Sequence, residues 1–199
     1  MKLWLFSDWH SDRDAAERLA ACADNFDVII GAGDFCNAHR GLERCLAPLK
    51  STATPLVLVA GNNETTEELQ TVCEGWPQTF VLHGSSVTIA KQTFFGLGGG
   101  VPVTPFGSWS YDLTEDQAHE YLASCPEGAV LISHSPPFGV LDVSSRRQHL
   151  GSQAVRECIE RTVPRLVVCG HIHASGGQTE VLGSTPVVNA GSAGMEWTL

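Results

Sequence analysis

Five short apolar runs in this 199-residue chain each stop at a polar, chemistry-bearing cluster. "LWLF" is followed by Ser7-Asp8-Trp9-His10, and "DVIIGA" by Gly33-Asp34. "LVLVA" leads into Gly61-Asn62-Asn63-Glu64, "VLIS" into His134, and "LVVC" into Gly170-His171-Ile172-His173. Runs that are apolar at consecutive positions, rich in Val, Ile and Leu, read as strands buried on both faces. In α/β folds the carboxyl ends of such strands converge on one crevice. Glycine lets the chain turn sharply there, so the next side chain can point into it.

Further strand-like runs cover residues 79–82, 87–90, 93–99, 179–183 and 185–191. Helical spacing of apolar residues covers Asp12–Ala23 and Ser152–Thr162. Thr65-x-x-Glu68 and Thr114-x-x-Gln117 have the form of capping boxes opening two more helices. Helices alternate with strands early, and strands dominate the middle and end. The simplest architecture is one domain over residues 1–199, with two packed sheets and flanking helices. No repeat or linker divides it. "GLGGGVPVTPFGSWSY", residues 96–111, lacks the Gly-Lys-Ser/Thr and following helix of a nucleotide loop. It reads equally as a substrate-facing loop bearing Phe106, Trp109 and Tyr111 or as a packed surface loop.

No apolar run approaches the ~20 residues of a membrane span, and the short start "MKLWLF" is interrupted by Asp8 and His10. No membrane contact and a cytoplasmic location are therefore expected. The formal charge of −10, without any Lys/Arg run, argues against a nucleic-acid groove. Seven cysteines without a Cys-x-x-Cys pair read as reduced, mostly buried thiols.

Two aspartates, one amide and four imidazoles form a mixed oxygen and nitrogen donor set. It suits Mn²⁺, Fe or Zn²⁺ better than a thiolate site or an all-oxygen Ca²⁺ site. Seven donors exceed what one tetrahedral ion needs and fit two ions about 3.5–4 Å apart sharing a carboxylate. Each piece alone is weak, since Asp-x-His or Gly-Asp arises often by chance. The ordered set at five strand ends is specific.

That order, Asp-x-His, Gly-Asp, Gly-Asn-x-Glu, His and Gly-His-x-His, resembles the calcineurin-like metallophosphoesterase superfamily. "SHSPPFGVLD", "HLGSQAVRECIE" and "VVNAGSAG" look like its small prokaryotic-type phosphodiesterase branch. The resemblance implies a four-layer αββα sandwich of two mixed β-sheets flanked by helices. It further implies that Asp8, His10 and His173 hold one divalent ion, that Asn62, His134 and His171 hold another, and that Asp34 bridges them. The expected activity is hydrolysis of a phosphodiester, or of a phosphomonoester, with manganese the favoured metal and a small phosphoester as partner. The runner-up readings are a nuclease and a non-catalytic scaffold of the same fold.

The pattern breaks at Asn63, where many relatives carry a histidine as acid or phosphate contact. An amide donates hydrogen bonds but no proton near neutral pH, so esters with poor leaving groups should suffer most. Asn63 and His149 are the catalytic candidates, with His149 in "RRQHLGS" as the substitute imidazole. Asn37-Ala38 replaces the Asp-Arg of the phosphoprotein-phosphatase branch, so that activity is not expected. For His39 and Arg40 a solvated face is favoured over a substrate contact, and His83 and His119 read as structural or surface residues.

Overall fold

Residues 1–199 are described by a computed structural model. One sheet has the order β11-β1-β2-β3-β4: Met195–Thr198, Lys2–Phe6, Val28–Gly31, Leu56–Leu58 and Thr79–Val81. The other has the order β5-β6-β7-β8-β10-β9: Ser85–Ile89, Gln92–Leu97, Val130–Ser133, Leu166–Cys169, Thr185–Asn189 and Thr179–Leu182. Both sheets are mixed. β1 to β4 pair in parallel, as do β6, β7, β8 and β10, while β11, β5 and β9 add antiparallel edges.

The reason the strands are apolar at every position is visible in the layers. Leu3, Leu5, Val28, Ile30 and Val57 point inward to meet Phe94, Val130, Ile132, Leu166 and Val168 of the opposing sheet. The intervening side chains point the other way. Phe6, Ile29, Leu56 and Leu58 pack under α1 (Arg13–Ala20), α2 (Leu42–Leu46) and α3 (Thr66–Val72). Leu131, Val167 and Cys169 pack under α4 (Glu115–Leu122) and α5 (Gln153–Thr162). Period-2 alternation thus feeds three apolar layers, giving the αββα order.

Each run that the sequence marks as a strand forms one. Both capping boxes are complete: Thr65 and Thr114 accept from the amides of Glu68 and Gln117, whose side chains reach back to the cap amides. Two elements were not predicted, the five-residue α2 and the edge strand β11. Short length hides the first, and the second alternates exposed with half-buried residues. All seven cysteines are free, and all but Cys22 are buried. No helix is long and apolar enough to cross a membrane.

The Thr114 box caps α4 on the second sheet's outer face, beside Glu115, which accepts from Ser152 Oγ and the Gln153 and Ala154 amides at the start of α5. Thr114→Ala should lower unfolding free energy by about 1 kcal/mol, measured by urea denaturation, without altering metal binding.

Candidate metal centre

The five strand-end clusters meet at the carboxyl ends of the parallel strands. Several are held there in unfavourable backbone conformations. Asp8, His10, Asp34 and His171 all have positive φ, from 45° to 65°, a region that non-glycine residues rarely enter. Two glycines permit the close approach. A Cβ on Gly61 would collide with Asp34 Oδ1, and one on Gly170 would lie 2.5 Å from Asp8 Oδ2.

All seven candidate donors come together, in two groups. His10 Nε2 lies 3.0 Å from His173 Nε2, which lies 3.5 Å from Asp8 Oδ1. Asn62 Oδ1 lies 3.3 Å from His134 Nε2 and 3.1 Å from His171 Nδ1. Asp34 reaches both groups: Oδ2 is 3.8 Å from His10 Nε2 and Oδ1 is 3.5 Å from His134 Nε2. Asp8 also comes within 4.8 Å of Asp34 and His134, so both carboxylates lie centrally.

The hydrogen-bond partners fix which atoms face the centre. His134 Nδ1 must donate to the Ala32 carbonyl at 2.8 Å, so in the neutral ring the lone pair is on Nε2. Asn37 Nδ2 donates to the His10 carbonyl at 2.7 Å, so its Oδ1, 3.1 Å from His10 Nδ1, accepts. His10 Nε2 is then also left with a lone pair. Asn62 Nδ2 donates to Ser110 Oγ, which turns Oδ1 inward. Lone pairs facing lone pairs at such distances repel unless a proton or a cation lies between them. These residues therefore fit divalent cations, with the outer nitrogen of each oriented imidazole anchored to the protein.

The local field points the same way. Burial pushes the Asp8 carboxyl up, but the His173 hydrogen bond, the His134 charge and the Ser7 hydroxyl outweigh it and hold it at about 2. Burial opposes protonation of His134, yet Asp34, Asp8 and the Ala32 carbonyl draw its pKa above the ordinary value. Burial and the His134 charge depress His171 to about 4, leaving it a neutral donor. The hydrogen bond to Asp8 raises His173.

Several supporting residues were given no individual role from sequence, although Glu64 closes the Gly-Asn-x-Glu motif. Asn37 aims His10. Glu64, fully buried, accepts from the amides of Gly61, Phe35 and Cys36 and so ties the Asp34 loop to the Asn62 loop. Burial and then the Asp34 charge raise its carboxyl to about 7. Asn189 Nδ2 donates to the carbonyls of Gly170 and Ile172, both at 3.0 Å, and fixes the His171–His173 turn. Only the polar residue ending the apolar run "TPVV" hinted at that role.

Asn63 has a definite task. Its backbone N–H and Nδ2 donate to the two oxygens of Asp34 at 2.9 and 2.8 Å, while its Oδ1 accepts from the Ala38 amide. His149 stands on the rim: Nδ1 is 2.7 Å from Oδ1 of fully buried Asp142. It is not part of the cleft wall, although neighbouring Ser144, Ser145 and Leu150 are. Phe106 and Trp109 face the cleft, but Tyr111 turns inward, its hydroxyl 3.3 Å from Thr66 Oγ1. His39 is not merely solvated: it bonds Glu68 and the Trp109 carbonyl.

The family model described as the calcineurin-like phosphoesterase superfamily domain matches residues 1–198. The UPF0046 protein K07C11.7 of Caenorhabditis elegans is 29% identical over 183 residues, 82% of this chain. The chain spans 62%, less than two thirds, of that relative's length. The crystal structure of TT1561 of Thermus thermophilus is similar with a TM-score of 0.74 and 19% identity, over 96% of this chain and 89% of that one. A dimetal phosphatase from Danio rerio gives a TM-score of 0.65 at 14% identity, over 97% and 88%.

Removing the Asn63 side chain should loosen Asp34 without unfolding the sheets. Asn63→Ala is expected to weaken Mn²⁺ binding about 10-fold or more, measured by calorimetric titration, with an unchanged circular dichroism spectrum.

Proposed function

The chain belongs to the calcineurin-like phosphoesterase superfamily, and on that footing we propose that it is a dinuclear-metal-dependent phosphoesterase acting on a phosphodiester. The observation that carries this reading is the pair of donor groups joined through Asp34. Asp8, His10 and His173 would hold one ion, Asn62, His134 and His171 the other, and Asp34 would bridge. Manganese is our choice of metal, since a site of imidazole and oxygen donors without thiolate accepts it. Divalent ions bound there would acidify water and neutralise charge on the phosphoryl oxygens.

The chain's own residues limit the substrate. The cleft beside the donor set has no Lys or Arg in its wall. A phosphomonoester dianion would find no Lys or Arg in that wall to share its second charge, whereas a diester carries a single charge. The same absence disfavours a nucleic-acid strand, whose neighbouring phosphates need positive side chains. Ser7, Asn63 and backbone amides donate to the oxygens of Asp8 and Asp34, so their orientation is set before substrate arrives.

Departure of the alcohol needs a proton, and Asn63 is an amide committed to Asp34. We assign that proton to His149, the rim imidazole steadied by Asp142. A cytoplasmic setting and a small-molecule substrate complete the proposal.

The reading predicts Mn²⁺-dependent hydrolysis of bis(p-nitrophenyl) phosphate that exceeds that of p-nitrophenyl phosphate. Asp34→Asn should lower the rate by about 100-fold or more. Absence of turnover with Mn²⁺, Fe²⁺ or Zn²⁺ would instead favour the scaffold reading. His149→Ala should spare nitrophenyl esters and slow alkyl esters about 10- to 100-fold; equal effects on both would remove His149 from the mechanism.

A further inference from the structure

The donor set lies between two unlike lobes of the surface, and His10 and His173 contribute to both. One lobe, about 620 Å³, is walled by Phe106, Trp109, Leu150 and Ile172. The other, about 390 Å³, is walled by Gly176, Gly177, Gly191, Ser192 and Ala193. Apart from Asp8, His10 and His173, nothing in the second lobe is larger than serine, and neither lobe contains Lys or Arg.

The aromatic lobe is built and held open. The Phe106 and Trp109 rings stack at 5.8 Å with 17° between planes, yet remain 52% and 40% exposed. A latch pins their loop: His39 Nε2 faces the Trp109 carbonyl at 2.5 Å, and Nδ1 faces Glu68 Oε2 at 2.8 Å. Both partners can only accept, so the latch is complete with His39 as imidazolium, and the Glu68 hydrogen bond and Trp109 carbonyl raise its pKa accordingly. Glu68 is itself fixed, as the third residue of the α3 capping box. A fixed, solvent-facing aromatic pair beside a charged centre offers a stacking surface with a set position.

The small lobe is walled by backbone. Gly191 has φ +62°, and a Cβ there would lie 3.0 Å from Gly176 Cα and Gly177 N, so two turns run against each other with no side chain between. The N–H groups of Ser192 and Ala193 have no acceptor within the chain and are free to donate. Such a lobe offers backbone N–H donors and no aromatic surface.

We propose that the substrate is an asymmetric phosphodiester: one ester arm ends in a planar aromatic group that stacks on Phe106 and Trp109, and the other is a non-aromatic arm lodged between the glycine turns, where the Ser192 and Ala193 amides can donate to it. The inference rests on the phosphoesterase reading and names its substrate class. It accounts for the two lobes together, since a diester has two arms on one phosphorus and a monoester has one.

The test separates binding from turnover by using phosphinates, in which both arms are joined through P–C bonds and neither can be cleaved. Calorimetry on the Mn²⁺-loaded full chain compares methyl(phenyl)phosphinate with methyl(cyclohexyl)phosphinate. The planar ring should bind about 10-fold tighter, and Trp109→Ala or Phe106→Leu should erase that preference. Diphenylphosphinate, with two rings, should bind no better than methyl(phenyl)phosphinate. A methylphosphinate joined to 5′-deoxythymidine through its C5′ carbon distinguishes sources: tighter binding than the phenyl compound identifies a nucleobase arm, weaker binding a simple aryl arm. Equal affinity for phenyl and cyclohexyl, or a preference that survives both variants, would overturn the proposal. Loss of all diester hydrolysis with the binding preference intact would strike the phosphoesterase reading instead.

Discussion

Two carboxylates withdrawn from water, Asp8 and Asp34, govern this structure: they retain only 6% and 2% exposure. A buried charge is costly unless it is paired and hydrogen-bonded. The surroundings supply both. Ser7, the His171 amide and His173 serve Asp8; both N–H donors of Asn63 serve Asp34. Four imidazoles and one amide oxygen then face the pair, an arrangement of acceptors that is complete only with positive charge among them.

This centre imposes backbone strain that the rest of the fold must absorb. Four of its residues sit at positive φ, each costing on the order of 1–3 kcal/mol. The offset comes from the layers beneath: fully buried strands on both sheets, covered by helices on their outer faces. Glu64 and Asn189 transmit that rigidity to the turns, one joining the loops after β2 and β3, the other bracing the turn after β8. The site is therefore organised by its scaffold, which is the condition for electrostatic preorganisation.

The strands and the clustering of the candidate donors were legible because both leave strong local marks. Strands buried on two faces are apolar at every position, and a donor at each carboxyl end interrupts them abruptly. Legibility ended where function depends on contacts across the chain. Asn37, Glu64 and Asn189 are common polar residues whose importance lies in what they touch. His39 looked like a solvated residue because its partners, Glu68 and the Trp109 carbonyl, are 29 and 70 positions away. Tyr111 resembled its neighbours Phe106 and Trp109, but its hydroxyl meets Thr66 instead of the cleft. At Asn63 the departure from the family pattern was visible in sequence, whereas its compensating role, holding both oxygens of Asp34, required the fold.

The central claim is that this chain assembles one paired metal centre from the ends of five strands. Its most direct test is the metal stoichiometry of the full chain, by calorimetric titration of the metal-free protein with Mn²⁺ and elemental analysis of the product. The account predicts two equivalents bound per chain. Binding of a single equivalent, or none at millimolar Mn²⁺, would contradict it.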